Sequence, residues 1–471
     1  MIPLMNSRFH PRRLPAILAL PSLLAIPFLA AAGEPIALGD RLELFADDFL
    51  IEEKADGVSF HLHRPEPRDV VLTADASWEG NTSGYYTIFQ DGDRIRMIYR
   101  GWRHDPNNPG KTLHRETTCY AESADGLRFE KPKLGLFEWE GSKDNNIVWN
   151  GAGGHNFTAF RDDNPDCAAD ARYKAIGSGG GVGKGLFYFK SPDGVRWTQV
   201  RSEPIITDGA FDSQNLAFWD GARGEYRAYW RIFTNKVRAI RTATSKDFLT
   251  WENQADLTYP EGTPAQHLYT NAIRPYFRAP HVYLGFPTRY LPDEGQRVEP
   301  IFMISRDGVE FLRYNEPVIP EDAPEDRRGN RSNYMTWGMV QLPGKPDEIS
   351  VYATEAYYGP VPGRVRRFVY RLDGFVSLRA AGEPGEVLTK AVAYRGNHLT
   401  LNYAAREGGS VSVELLDPKG ATLAKSEPLT GDSVKATVKW DNGEPIAAQA
   451  GKPVHLRFTL QNADLYSMRF H

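Results

Sequence analysis

The sequence predicts an all-β chain, a five-bladed β-propeller followed by a C-terminal β-sandwich. Three observations predict it. A Ser-x-Asp-Gly-type heptapeptide returns five times: SADGLRF from Ser123, SPDGVRW from Ser191, SKDFLTW from Ser245, SRDGVEF from Ser305 and a degenerate RLDGFVS from Arg371. Each copy lies between short apolar runs, such as GLFYFK before SPDG and VRWTQV after it. Beyond residue 380 the repeat stops and Gly-punctuated alternation takes over. Stacked supersecondary units give such a repeat, and Asp-Gly between alternating runs is a hairpin signal because Gly supplies the positive φ of a tight turn.

Taken in order, the chain opens with an export signal. Arg8, Arg12 and Arg13 form a basic region, LPAILALPSLLAIPFLA an apolar one, and Ala30-Ala31-Ala32 a small-residue cleavage site before Gly33. Pro15, Pro21 and Pro27 argue against a spanning helix, with an uncleaved anchor as the alternative. Residues 1–32 are therefore expected to be removed and the protein to be secreted or periplasmic. LELFADDFLIEE, within residues 34–60, is a short strand-like run expected to pack on the first blade or to close the ring, and HLHRPEPRDVVL leads into the first blade. The N-terminal segment and propeller are expected over 33–377.

Upstream of each heptapeptide lies an inner hairpin: TIFQDGDRIRMIYRG, FTAFRDDNPDCAADARYKAIG, LAFWDGARGEYRAYWR, AIRPYFRAPHVYLGFPTR and MVQLPGKPDEISVYATE. Two hairpins make a four-stranded blade, and blades arranged radially leave only short protected edges. Blade 1 carries an insertion over 101–116. Blade 2 carries GSGGGVGKG, which no GKS or GKT follows and which is not a phosphate loop. Residues 380–471 read as a small β-sandwich with no cluster of catalytic residue types.

Composition narrows the classes of function. The chain has 471 residues, 41% hydrophobic and 25% charged, which is ordinary for a globular protein. A net charge of −4 gives no electrostatic case for nucleic acid, and no segment after the signal is apolar enough to span a membrane. The two cysteines, Cys119 and Cys167, fall in different blades, and no Cys/His spacing suggests zinc. No cofactor is expected; an axial calcium near His155 has no support in the residues. Oligomeric state is not legible.

In a propeller the starts of the innermost strands and the ends of the second strands reach one face, because the two are antiparallel. Strand starts contribute Trp78, Glu79, Asn81, His155, Asn156, Asp212, Gln214, Asn215, His267, Tyr269, Asn271 and Tyr334. Strand ends contribute Arg100, Trp102, Arg231, Arg289, Glu355 and Tyr357. Carboxylates, arginines, amides and aromatics in one ring suit a polar sugar, with Trp78, Trp102, Tyr269 and Tyr334 as stacking surfaces. Glycosidic hydrolysis uses two carboxyl groups, and Glu79, Asp212 and Glu355 are the three in the ring. Asp212 is the sharpest of them, since FDSQN is polar where no turn is needed. Arg100, Arg231 and Arg289 suit an anionic sugar, because guanidinium binds carboxylate or sulfate bidentately. Each residue has a structural alternative: Glu79 pairing an arginine, the two histidines bonded in the core, the arginines paired within the protein. Asp125, Asp193, Asp247 and Asp307 belong to the repeat turns, and Asp162 and Asp163 to the turn in RDDNP.

With five such turns and a trailing sandwich, the chain resembles the five-bladed glycoside hydrolases of families 32, 43, 62 and 68, and in domain pairing is most similar to family 32. The resemblance covers about residues 60–471. It implies a carboxylate role for Glu79 at blade 1 and the general-acid role for Asp212 at blade 3, with Glu79 or Glu355 as base or nucleophile. NDPNG-like, RDP and blade-3 Glu-Cys or Glu-Gly-Pro motifs are absent, so fructan or arabinan specificity does not carry over. The expectation is an exported glycoside hydrolase acting on a carbohydrate, anionic if the arginines reach it. The alternatives are a non-catalytic carbohydrate-binding propeller and a lyase on uronic-acid glycans, with His155 or His267 as base.

Overall fold

The computed structural model describes residues 34–179, 184–319, 323 and 331–471. The export segment and part of the blade-2 glycine run lie outside the described residues. Among the described residues strand is the dominant regular structure, with one five-residue α-helix at Pro445–Gln449 and single 3-10 turns at Gly154–Asn156 and Ala169–Ala171.

Five four-stranded antiparallel units follow one another. Blade 1 is Gly84–Asp91, Arg94–Gly101, Thr117–Ser123 and Ile147–Trp149. Blade 2 is Thr158–Arg161, Tyr173–Ser178, Leu186–Ser191 and Thr198–Gln199. Blade 3 is Leu216–Asp220, Glu225–Thr234, Val237–Ser245 and Glu252–Asp256. Blade 4 splits into two pairing groups, an inner strand of His267–Thr270 and Arg274–Tyr276 facing Thr288–Leu291 and Ala279–Gly285. Blade 5 is Met335–Val340, Glu348–Glu355 and Arg364–Arg371, and its fourth strand is Glu66–Thr73 from the other end of the propeller sequence. The degenerate fifth repeat leads away to Val376–Ala380 instead of turning back, and the N-terminal strand takes the vacated edge. The ring is closed by hydrogen bonds between its two ends.

The repeat turns staple neighbouring blades. In the first four copies the serine Oγ accepts the amide N–H three residues on, at 2.8–2.9 Å, from Gly126, Gly194, Phe248 and Gly308. All four donors are left-handed, with φ of 71°, 77°, 64° and 80°. Glycine adopts that backbone without steric cost. Phe248 holds it with its ring buried against Tyr188 and Tyr226, at 4.8 and 5.1 Å. The preceding blade reaches each turn in the same sense round the ring: Tyr352 OH donates to Gly126 O, Arg96 to Asp193 O, Tyr188 packs on Phe248, Tyr229 OH donates to Gly308 O, and Tyr276 OH donates to Asp373. Near the axis Gly338 of blade 5 lies against the Ile88 carbonyl of blade 1, where a Cβ would clash. Fully buried Tyr229, Trp230, Tyr276 and Tyr283 dominate the main core, and burying side chains of this size contributes about 1.5–3 kcal/mol each.

The N-terminal segment corrects one expectation. Residues 36–62 pack neither on blade 1 nor as the ring closure. Leu42–Leu44 pairs with His455–Phe470, Ile51–Lys54 with Gly385–Thr389, and Val58–Leu62 with Val376–Ala380. The cause is edge pairing: these strands complete a C-terminal β-structure whose two long strands, Leu399–Leu416 and His455–Phe470, run antiparallel. A second core, including Phe45, Leu401, Val413, Phe458 and Phe470, fills it.

Candidate active site

Strand starts and second-strand ends of several blades meet, as the antiparallel geometry requires, at a cavity of about 490 Å³. Arg100, Trp102, His155, Asp212, Tyr269 and Tyr357 line it. Tyr85, Phe211, Tyr358 and Lys184 join them.

Asp212 is the exposed carboxylate of the cavity, its side chain 66% accessible. Its backbone is pinned on both sides. Asn156 Nδ2 donates to Phe211 O at 2.5 Å and to Ser213 O, and Asn215 Nδ2 donates to the same two carbonyls at 3.0 and 2.9 Å. Ser213 Oγ adds a bond to Tyr269 O at 2.6 Å. Asn156 and Asn215 are therefore positioning residues rather than sugar contacts. Gln214 turns away too and donates to Tyr85 O and Tyr86 O at 3.2 Å.

His155 stands between two carboxylates. Its Nε2 lies 3.0 Å from Asp212 Oδ1 and its Nδ1 2.6 Å from Glu116 Oε1. Burial works against the imidazolium, but hydrogen bonds to Asp212 and Glu116 outweigh it and raise the His155 pKa. The bond from His155, opposed by burial and helped by the charges of His155 and Arg231, pulls the Asp212 carboxyl down to about 2. The proton of the pair rests on His155. Asp212 thus does not fit the general-acid role expected from the sequence: a carboxyl that low carries no proton to give near neutral pH.

Arg100 lies between the rings of Tyr85 and Trp102, 4.6 Å from each centroid. It donates to Thr82 O and Tyr357 OH, both at 3.0 Å. Arg231 reaches 3.7 Å from Asp212 Oδ2 and stacks on Tyr269. Arg100, Arg231 and Lys184 outnumber Asp212 and Glu116, so the cavity is electropositive. Backbone strain gathers here as well: Tyr85, Ala356 and Tyr358 have φ of 54°, 57° and 63°. Left-handed non-Gly residues cost of order 1–3 kcal/mol each and cluster at functional sites.

Other expected site residues lie elsewhere. Glu79 is wholly buried, accepts from Tyr99 OH and pairs with Lys131 Nζ at 2.6 Å. Glu355 is 1% exposed and held by Arg366, with Arg364 at 3.5 Å. Neither lines the cavity; each is neutralised by a cation of its own blade. Arg289 is spent on buried Glu299. His267 Nδ1 accepts the Arg238 amide at 3.0 Å, and buried Asn271 bonds locally to the Ile273 amide. Trp78 bonds to Asn146, and Asn81 ties Gly359 O to the His104 amide. Tyr334 stands behind the lining, edge-on to Tyr269 and Tyr357. Glu116 was not singled out in the sequence; its one signal is its place at the end of the blade-1 insertion. Cys119 and Cys167 are free thiols. Among the described residues no cluster of three or more His, Cys, Asp or Glu is placed to hold a metal, and no helix is long and apolar enough to cross a membrane.

No protein-family model and no curated protein matches the chain. Solved structures similar to it include glycoside hydrolases. A Bacillus subtilis family 43 arabinoxylan arabinofuranohydrolase, in complex with cellotetraose, is 10% identical, with 84% of this chain and 97% of that one covered and a TM-score of 0.41. The Bombyx mori family 32 β-fructofuranosidase is 8% identical over 87% of this chain and 94% of its own, with a TM-score of 0.40. An N-acetylgalactosamine deacetylase from F. plautii, in complex with a blood group B trisaccharide, is 12% identical over 68% and 97%, with a TM-score of 0.43.

Proposed function

We propose that the protein is a glycoside hydrolase that cleaves an anionic poly- or oligosaccharide in the cavity around Asp212. The observation that carries this reading is the pairing of an exposed, ionised Asp212 with a proton-bearing His155 in an aromatic cavity walled by arginines. Asp212 Oδ1 holds His155 Nε2 at 3.0 Å, so the two act as one unit on a single face of the glycosidic bond. His155 Nε2 gives its proton to the glycosidic oxygen as the C–O bond breaks. Water adds to the anomeric carbon from the opposite face and loses its proton to solvent, and solvent returns a proton to His155. Tyr269, Tyr357 and Trp102 offer ring faces and edges to the sugar, and Arg100 and Arg231 orient its charged group. Digestion of a glycan panel, read by mass spectrometry, tests the reading: hydrolysis leaves products that have gained one water.

A uronate lyase is the second reading, favoured by one observation. Asp212 and His155 lie side by side, as suits a base and an acid acting on the same face of a sugar, and the nearby arginines would neutralise the uronate carboxylate. Products carrying a new double bond, with no water gained, would establish it. We place the protein outside the cytoplasm on the strength of the N-terminal sequence. N-terminal sequencing of the mature chain tests that placement, with Gly33 expected first and an intact Met1 against it.

A further inference from the structure

At the opposite end of the axis, where the inner hairpins of the five blades turn, lies a second and larger cavity of about 1040 Å³. Its walls differ in kind. Phe160, Phe218, Trp219, Phe277, Trp337 and Met339 make it aromatic and apolar. Arg274 stands among them, on the inner strand of blade 4. Its Nε is buried and meets no hydrogen-bond acceptor. Asp163, the acid that opposes it, is already bound by Arg161, whose Nε and Nη2 donate to Asp163 Oδ1 at 2.8 and 2.6 Å. Burial without a committed counter-charge holds Arg274 below the usual arginine range, at about 10. A partly buried cation with a buried, unfilled donor is costly to leave unpaired, and an acceptor that arrives with its own apolar body relieves that cost. Counting Arg161 and Arg274 against Asp163, the lining carries one excess positive charge.

We propose that this cavity binds a small organic anion, an aryl or alkyl carboxylate, with its body against the aromatic rings and its carboxylate on Arg274. The assignment is independent of the reaction at the Asp212 face.

Benzoate and benzyl alcohol, titrated into the full chain by calorimetry and by tryptophan fluorescence, test it. The two probes share a ring and differ in charge. Benzoate is expected to bind saturably, to perturb the fluorescence of Trp219 and Trp337, and to bind at least about tenfold more tightly than benzyl alcohol, the scale of one charge-assisted hydrogen bond. Arg274→Met is expected to remove that preference and Arg100→Met to leave it. Equal binding of the two probes by the wild-type protein overturns the proposal by itself, whatever the variants do. A preference that survives Arg274→Met, or that disappears with Arg100→Met instead, also overturns it.

Discussion

Glu116 Oε1 lies 2.6 Å from His155 Nδ1, joining the insertion of blade 1 to the start of blade 2. The contact favours the imidazolium form while Nε2 faces Asp212. His155 has a folded pKa above its ordinary value, so the stability it contributes is full below about 6.5 and is lost as pH rises through the folded value. Glu116→Gln removes one of its two carboxylates. The His155 titration, followed by NMR, is expected to move to lower pH, and the alkaline limb of the kcat profile with it. An unmoved titration contradicts the role given to Glu116.

Asn156 holds both carbonyls that flank Asp212. Asn156→Ala leaves those buried acceptors with Asn215 alone. Loss of such a partner costs about 1–3 kcal/mol. The melting temperature is expected to fall, and kcat to fall further than the loss of folded protein explains. A normal kcat in the folded fraction would show that the Asp212 backbone needs no such support.

Glu79 and Glu355 are expected to act on stability and not on rate. Glu79→Gln weakens the pairing of Lys131, and Glu355→Gln that of Arg366. Both cations are partly exposed, so each loss is expected at about 1–3 kcal/mol, read by denaturant unfolding. The kcat of the folded protein should not change. A selective loss of kcat would return either residue to the chemistry.

In the proposed reading Arg100 sets the preference for a charged sugar. Arg100→Lys keeps the charge and loses the planar fork. KM for an anionic oligosaccharide is expected to rise about tenfold, the scale of one charge-assisted hydrogen bond, with little change for a neutral one. An equal rise for both would mean that Arg100 only supports the wall.

Much of the architecture was legible because it is written locally. Ser, Asp and Gly at fixed offsets build the same turn wherever they occur, so five copies announced the repeating blades. The placement of 36–62 was not legible, since a short alternating run does not say which sheet edge it will join. Antiparallel geometry brings Arg100, Trp102, His155, Asp212, Tyr269 and Tyr357 to one cavity. It did not say which carboxylates would be neutralised. Nothing in the sequence marks Lys131 and Arg366 as partners of Glu79 and Glu355; a loop contact pairs Lys131 with Glu79, and neighbouring strands pair Arg366 with Glu355. Glu116 was hidden because its role depends on a loop folding back onto the next blade.

The central claim is that an ionised Asp212 beside His155 cleaves an anionic glycan. Digestion of matched anionic and neutral oligosaccharides by wild type and by Asp212→Asn, read by mass spectrometry, tests it most directly. Asp212 has a folded pKa near 2, so its stabilising effect is present above about 3.8 and lost as pH falls through that lower value; the assay belongs near neutral pH, where it is charged. The wild type is expected to release water-added products from the anionic substrate. Asp212→Asn should fold normally and lose about 10² or more in rate, the scale of general acid–base catalysis. Full activity in folded Asp212→Asn, or cleavage confined to neutral glycans, would contradict the account.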